Sequence, residues 1–150
     1  MLEKQIEQDL KAALLAGDAL KTDTLRGLKS ALLYVKVAKG KKETGLDEAE
    51  EIAVLASEVK KRSESAELYT RGGSSERAEK ELKEKTIIEA YLPKQLSEDE
   101  LADIVSNVIS ELGVTDISGM GKVIGKVREE TTGRADGALI AKMVKEKLSQ

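Results

Sequence analysis

The stretch YLPKQLSEDELADIVSNVISEL, residues 91–112, holds a break, a restart and the most regular apolar stripe of the chain. Pro93 is the only proline in 150 residues. Its ring and missing N–H stop a helix, and they push Leu92 toward extended backbone. Four residues later Ser97 and Glu100 form a capping-box pair, in which each side chain satisfies an orphan N–H at a helix start. Leu101, Ile104, Val105, Val108, Ile109 and Leu112 then recur at helical spacing. Gly113 follows as a stop, because glycine tolerates the left-handed conformation that closes a helix. The stretch thus reads as the end of one helical group, a linker at about 93–96, and the first helix of another.

Working toward the N-terminus, four more helices precede the proline. Leu2, Ile6, Leu10, Ala13 and Leu14 define the first, ending near Ala16 before the turn Gly17-Asp18. The second runs from about Ala19 to Ala38 on Leu25, Leu28, Leu32 and Val35, with Leu33 and Val37 widening the stripe. After the polar loop Gly40–Gly45, Asp47 with Glu50 opens a third helix along Ile52, Leu55, Ala56, Val59, Ala66 and Tyr69. Gly72-Gly73 ends it. Ser74 or Ser75 caps a fourth to about Tyr91, burying Ala78, Leu82 and Ile88. Beyond Gly113 a sixth helix is expected from Ser118 or Gly119 on Met120, Val123, Ile124 and Val127. Asp136 caps a seventh on Leu139, Ile140, Met143, Val144 and Leu148. The expected class is all-α: an N-terminal four-helix bundle-like domain over 1–92 and a small three-helix domain over 97–150.

Composition agrees. The chain is 40% hydrophobic, 35% charged and 2% aromatic, with three Tyr and no Phe or Trp, so any core is aliphatic. With no Cys, thiolate metal sites, disulfides and cysteine nucleophiles are excluded; with no His, the commonest general base and metal ligand is missing. Asp99 and Asp103 share a helix face at i,i+4, but so do many acid pairs in a chain this charged. No hard-cation ligand loop is visible. We therefore name no catalytic residue, no metal ligand and no cofactor. The N-terminal MLEKQIEQDL is charged and amphipathic rather than a signal peptide, and no apolar run of membrane-spanning length exists. A cytoplasmic location without membrane association is the expectation.

One segment stands apart, GMGKVIGKVREETTGRADG (119–137), with five glycines. Gly121 and Gly125 fall on one face of the sixth helix. A glycine in a helix interior costs roughly 1 kcal/mol against alanine. Two readings stand: a neighbouring helix packs tightly there, or the face is a flat docking surface for a ligand or partner backbone. The spacing fails the Walker pattern, so nucleotide binding is rejected. Net charge is −3 overall. From residue 117 onward, however, seven basic residues face four acidic ones. Lys122 and Lys126 are one turn apart, Arg134 lies beside the start of the last helix, and Lys142 sits on it. These four suit nucleic-acid phosphate; a solvated face with lysines complementing a helix dipole is the plainer alternative.

YLPKQLSEDEL (91–101), MGKVIGKV (120–127) and GRADGALIAKMVKEKL (133–148), in that order, resemble the GatB/YqeY family. TLRGLKSAL (24–32) and EVKKRSESAELYTRGG (58–73) resemble the N-terminal part of its stand-alone YqeY-like members. The chain departs from the family at Arg128-Glu129-Glu130-Thr131, where a lysine- or proline-bearing stretch is common, and at Ser74-Ser75-Glu76-Arg77. The resemblance implies the two-part helical fold and a link to tRNA-dependent amidation. A similar domain forms the tRNA-contacting tail of the B subunit of aspartyl/glutamyl-tRNA amidotransferase. It implies a non-catalytic accessory protein that binds tRNA or an amidotransferase-type partner. The alternative is a protein-interaction adaptor with no RNA role. An independent carbon–nitrogen ligase with glutamine as amido-N donor comes last, since it needs an amidase nucleophile and ATP chemistry that the residues do not display.

Overall fold

Capping chemistry sets the helix boundaries. The structure, a computed structural model, describes residues 1–150 and contains helices and no strand. The elements are α1 (Leu2–Ala16), α2 (Ala19–Ala38), α3 (Glu48–Arg71), α4 (Ser75–Glu89), α5 (Glu98–Leu112), α6 (Met120–Glu130) and α7 (Gly137–Leu148). Asp18 accepts the Lys21 N–H at 3.1 Å to open α2. Reciprocal capping boxes, Asp47 with Glu50 and Ser97 with Glu100, open α3 and α5. Asp136 accepts the Ala138 N–H at 3.2 Å to open α7. Gly17 (φ 72°) and Gly113 (φ 66°) close α1 and α5 in the left-handed region that other residues resist. α4 stops at Glu89, two residues before the expected end. Tyr91 and Leu92 instead donate to the Ile88 and Glu89 carbonyls, tightening the chain ahead of Pro93.

The chain divides into two compact units, Met1–Leu92 and Pro93–Gln150. In the first, α2 packs against α1, α3 and α4. Its Leu25, Leu28 and Leu32 are fully buried, together with Ile6, Leu55 and Ile88. Complete burial of such a side chain contributes roughly 1.5–3 kcal/mol, so this stripe dominates the unit's cohesion. The stripes are narrower than the spacing implies. Leu14, Leu33, Val37 and Leu82, expected to face inward, lie about half exposed. They sit at the edges of their apolar faces, where no further helix arrives to cover them.

Two buried acids were invisible to periodicity. Glu51 is 2% exposed, and its Oε2 accepts the Glu3 N–H at 2.8 Å. Met1 makes no side-chain cap, so this carboxylate, delivered from α3, caps α1 from a distance. Glu58 bonds Arg62 at 2.7 Å, while Arg62 Nε stands 3.5 Å from Glu84 Oε2, a Coulomb contact that links α3 to α4. Tyr91 donates to Asp9 at 2.5 Å, tying the end of the unit to α1; burial and then that carboxylate raise the Tyr91 hydroxyl well above its ordinary range.

In the second unit Leu101, Val105, Val108, Val123, Val127, Ile140, Val144 and Leu148 form the core contributed by α5, α6 and α7. Leu112, at the end of α5, is left 42% exposed. An unforeseen 3-10 turn, Ile117–Gly119, leads into α6. Asp116 opens it by accepting the Ser118 hydroxyl and N–H, and these two bonds hold its carboxyl below the ordinary range. A Cβ on Gly119 would lie 2.4 Å from Val114 Cγ1, so this turn admits only glycine without repacking. The segment before α5 is bonded to the same unit. The Leu96 N–H donates to Arg134 O at 2.8 Å, Gln95 Nε2 to Gly133 O at 2.7 Å, and Arg134 Nε to Lys94 O at 3.4 Å.

Two tests follow from this packing. We propose that the second unit folds alone, and that Pro93–Gln150 will show a cooperative helical melt. A shorter Ser97–Gln150 fragment should lose about 1–3 kcal/mol in denaturant titration, since it lacks three hydrogen bonds and Leu96; equal stability of the two fragments would contradict the role given to residues 94–96. The other test concerns Glu50, which receives Lys39 at 2.7 Å, Lys41 at 2.6 Å and the Asp47 N–H. Lys39, then Lys41, lower its pKa from 4.5 to about 2. A depressed folded-state pKa gives stability that is present above pH 4.5 and lost as pH falls from 4.5 toward 2. The urea midpoint of the native chain should therefore exceed that of Glu50→Gln at pH 6, with the gap closing by pH 2–3. A gap independent of pH would mean that the charge contributes nothing.

Candidate functional site

α6 presents two contrasting sides. Val123 and Val127 are fully buried in the unit's core. On the opposite side Gly121 and Gly125 are exposed. A Cβ built on either would meet no atom within 4 Å. The close packing of a neighbouring helix, one of the two readings of these glycines, is therefore absent. Close packing occurs instead at Gly119, against Val114, and at Gly137, where a Cβ would come 3.0 Å from Arg128 Nη2. What remains at Gly121 and Gly125 is a bare strip of helix backbone.

Helical spacing places Lys122 and Lys126 beside that strip, one turn apart. Lys122 is exposed and makes no ion pair. Lys126 is half-buried and stands 3.9 Å from Glu130, a contact that contributes little at such exposure. Glu129 continues the row of Gly121 and Gly125, so the strip is basic at its start and mixed at its end. Ile117, 50% exposed, lies one turn ahead of Gly121.

The other two expected cations stand apart from this face. Arg134 is half-buried in the turn between α6 and α7. Its N–H donates to Thr131 O, its carbonyl accepts from Leu96, and its Nε donates to Lys94 O. It braces the entering chain, with the rest of its guanidinium left for other partners. Lys142 is exposed on the outer side of α7, opposite Ile140 and Val144. Charge is unevenly spread within the unit. Residues 98–116 carry six carboxylates and no cation, whereas residues 117–150 carry the seven-to-four basic excess. The field around α6 and α7 is thus positive although the unit as a whole is not.

The structure brings no group of three or more acidic side chains into a geometry that would hold a metal ion. The buried ionic groups lie in the first unit and are explained there as caps and braces. The Glu58–Arg62 pair is an i,i+4 contact, but spacing could not reveal the partners that are distant in sequence: Glu3 for Glu51, Glu84 for Arg62 and Asp9 for Tyr91. No helix is long and apolar enough to cross a membrane.

A search of curated proteins finds no match to this chain. A family model, described as Yqey-like protein, matches residues 3–148, which spans both units and every glycine, lysine and arginine discussed above. The chain belongs to the YqeY-like family.

Proposed function

We propose that this YqeY-like chain is a non-catalytic accessory protein of tRNA-dependent amidation, and that its C-terminal unit binds tRNA through the exposed face of α6. The observation that carries the reading is the bare Gly121–Gly125 strip, which nothing in the chain packs against, bordered by Lys122 and Lys126. Glycine weakens a helix, and no contact within the fold repays that cost. A flat strip lets a phosphate–sugar backbone approach the helix closely, and the two lysines supply point charges there. Arg134 adds planar donors at the nearby turn, and Lys142 adds charge to the surrounding field. Likeness to the tRNA-contacting tail of the amidotransferase B subunit supports the choice of RNA.

A second reading, a protein-interaction adaptor, is favoured by two observations on the same strip. Ile117 offers an exposed apolar side chain at one end, and Glu129 would repel phosphate at the other. Here a partner helix lies on the glycines, and the amidotransferase-type partner is a protein.

Salt dependence separates them. In the RNA reading, tRNA affinity falls steeply with salt because phosphate contacts release counterions. The triple variant Lys122→Ala/Lys126→Ala/Arg134→Ala should bind more weakly and reduce the slope of log affinity against log salt by about one per lost contact. Adding Lys142→Ala should reduce it further. Titration of tRNA into each form at two salt concentrations measures this. Equal binding by native and variant chains, or no salt dependence, would overturn the RNA reading and leave the adaptor.

A further inference from the structure

The guanidinium of Arg128 is placed by the fold but bonded to nothing in it. A Cβ built on Gly137, the first residue of α7, would lie 3.0 Å from its Nη2 and 3.5 Å from its Cζ and Nε. The charged group, rather than the aliphatic stem, fills the space that a side chain at 137 would take. Gly137 has no positive φ, so the backbone does not call for glycine there. The root of the side chain is fixed as well. Thr131 Oγ1 donates to Val127 O at 2.7 Å, and Thr132 Oγ1 donates to the carbonyls of Arg128 and Glu129 at 3.1 and 3.0 Å, which fastens the last turn of α6. Yet Arg128 is exposed and makes no ion pair and no side-chain hydrogen bond within the chain. The carboxylates near it in sequence are engaged elsewhere: Asp136 accepts the Ala138 N–H, and Glu130 stands by Lys126.

We propose that Arg128 is a phosphate-binding residue of the RNA face, and that position 137 is glycine in order to seat it. The assignment rests on the RNA reading of α6. Arg128 follows Gly125 by three residues and Gly121 by seven, so it borders the glycine strip, on the flank away from Lys122 and Lys126. Cations then stand on both sides of the strip, and a nucleic-acid backbone crossing α6 between them meets one on each side. The lysines act as point charges. Arg128 adds a planar fork that holds a phosphate through two N–H groups at once. A guanidinium seated in advance also loses less freedom on binding than one that moves freely. A cation in the last turn of α6 complements the helix carbonyls too. That role needs charge alone: a lysine fills it, and it sets no requirement for glycine on α7.

The test is titration of tRNA into the full chain over a series of salt concentrations, with thermal melting of each variant followed by circular dichroism. Arg128→Gln should weaken binding about three- to tenfold at low salt and reduce the slope of log affinity against log salt by about one. Arg128→Lys should keep the native slope and recover only part of the affinity, because lysine restores the charge without the fork. Gly137→Ala displaces the guanidinium. It should weaken binding while the melting temperature holds or rises, since alanine favours the helix. In the double variant Arg128→Gln/Gly137→Ala, the alanine should add nothing to the loss that Arg128→Gln causes alone. A native chain whose salt-dependent binding responds to Lys122 and Lys126 but not to Arg128→Gln would overturn this assignment and leave the RNA reading standing. An alanine at 137 that weakens binding equally with and without Arg128 would overturn the role given to Gly137. A native chain that does not bind tRNA would overturn the assignment together with the reading on which it rests.

Discussion

Burial of Leu, Ile, Val and Ala, with no Phe or Trp to fill large gaps, constrains everything else in this molecule. Aliphatic cores close only where helices approach one another along narrow stripes, and each unit solves this around one fully buried row: Leu25, Leu28 and Leu32 in the first, Val123 and Val127 in the second. Where the approach is tight, small residues mark it. Ala66 and Ala78 are buried on α3 and α4, and Gly119 fits under Val114. Such cores leave little surplus stability in units this small. Helix ends therefore matter, and the chain caps them with care, to the point of delivering Glu51 from α3 to the start of α1.

Against that background the exposed glycines of α6 stand out. Elsewhere a glycine has a local cause in a turn, as at Gly17 and Gly113, or in a contact, as at Gly119 and Gly137. Gly121 and Gly125 have neither. A small unit that gives up helix stability at its surface requires a return outside the fold, and a binding face supplies one. The local positive excess and the YqeY-like family membership give that face its proposed ligand.

Much of this was legible in the sequence because helix punctuation is local. The Asp47/Glu50 and Ser97/Glu100 boxes, the Gly113 stop and the Pro93 break act within four residues, and the structure holds the helices they delimit. The all-α class followed from them. Side-chain burial at stripe edges was not legible, since Leu33 and Leu82 depend on where a neighbouring helix ends. The turn at Ile117–Gly119 had a faint signal in Asp116-x-Ser118, a pairing that closes an Asx turn, but the reason for Gly119 lies in its contact with Val114. At the candidate site, the i,i+4 spacing was enough to place Lys122 beside Lys126 and Gly121 beside Gly125. It was not enough to foresee that Arg134 braces the chain at Lys94.

The central claim is that Gly121 and Gly125 serve a partner and not the fold. A double variant, Gly121→Ala/Gly125→Ala, tests it when thermal melting and tRNA binding are measured on the same preparation. Alanine meets no neighbour at either position and favours helix, by about 1 kcal/mol at Gly125 and less in the first turn at Gly121. The account predicts a higher melting temperature together with weaker tRNA binding, while Gly119→Ala, forced against Val114, melts lower. A double variant that melts lower than the native chain, or that melts higher and binds tRNA undiminished, would contradict it.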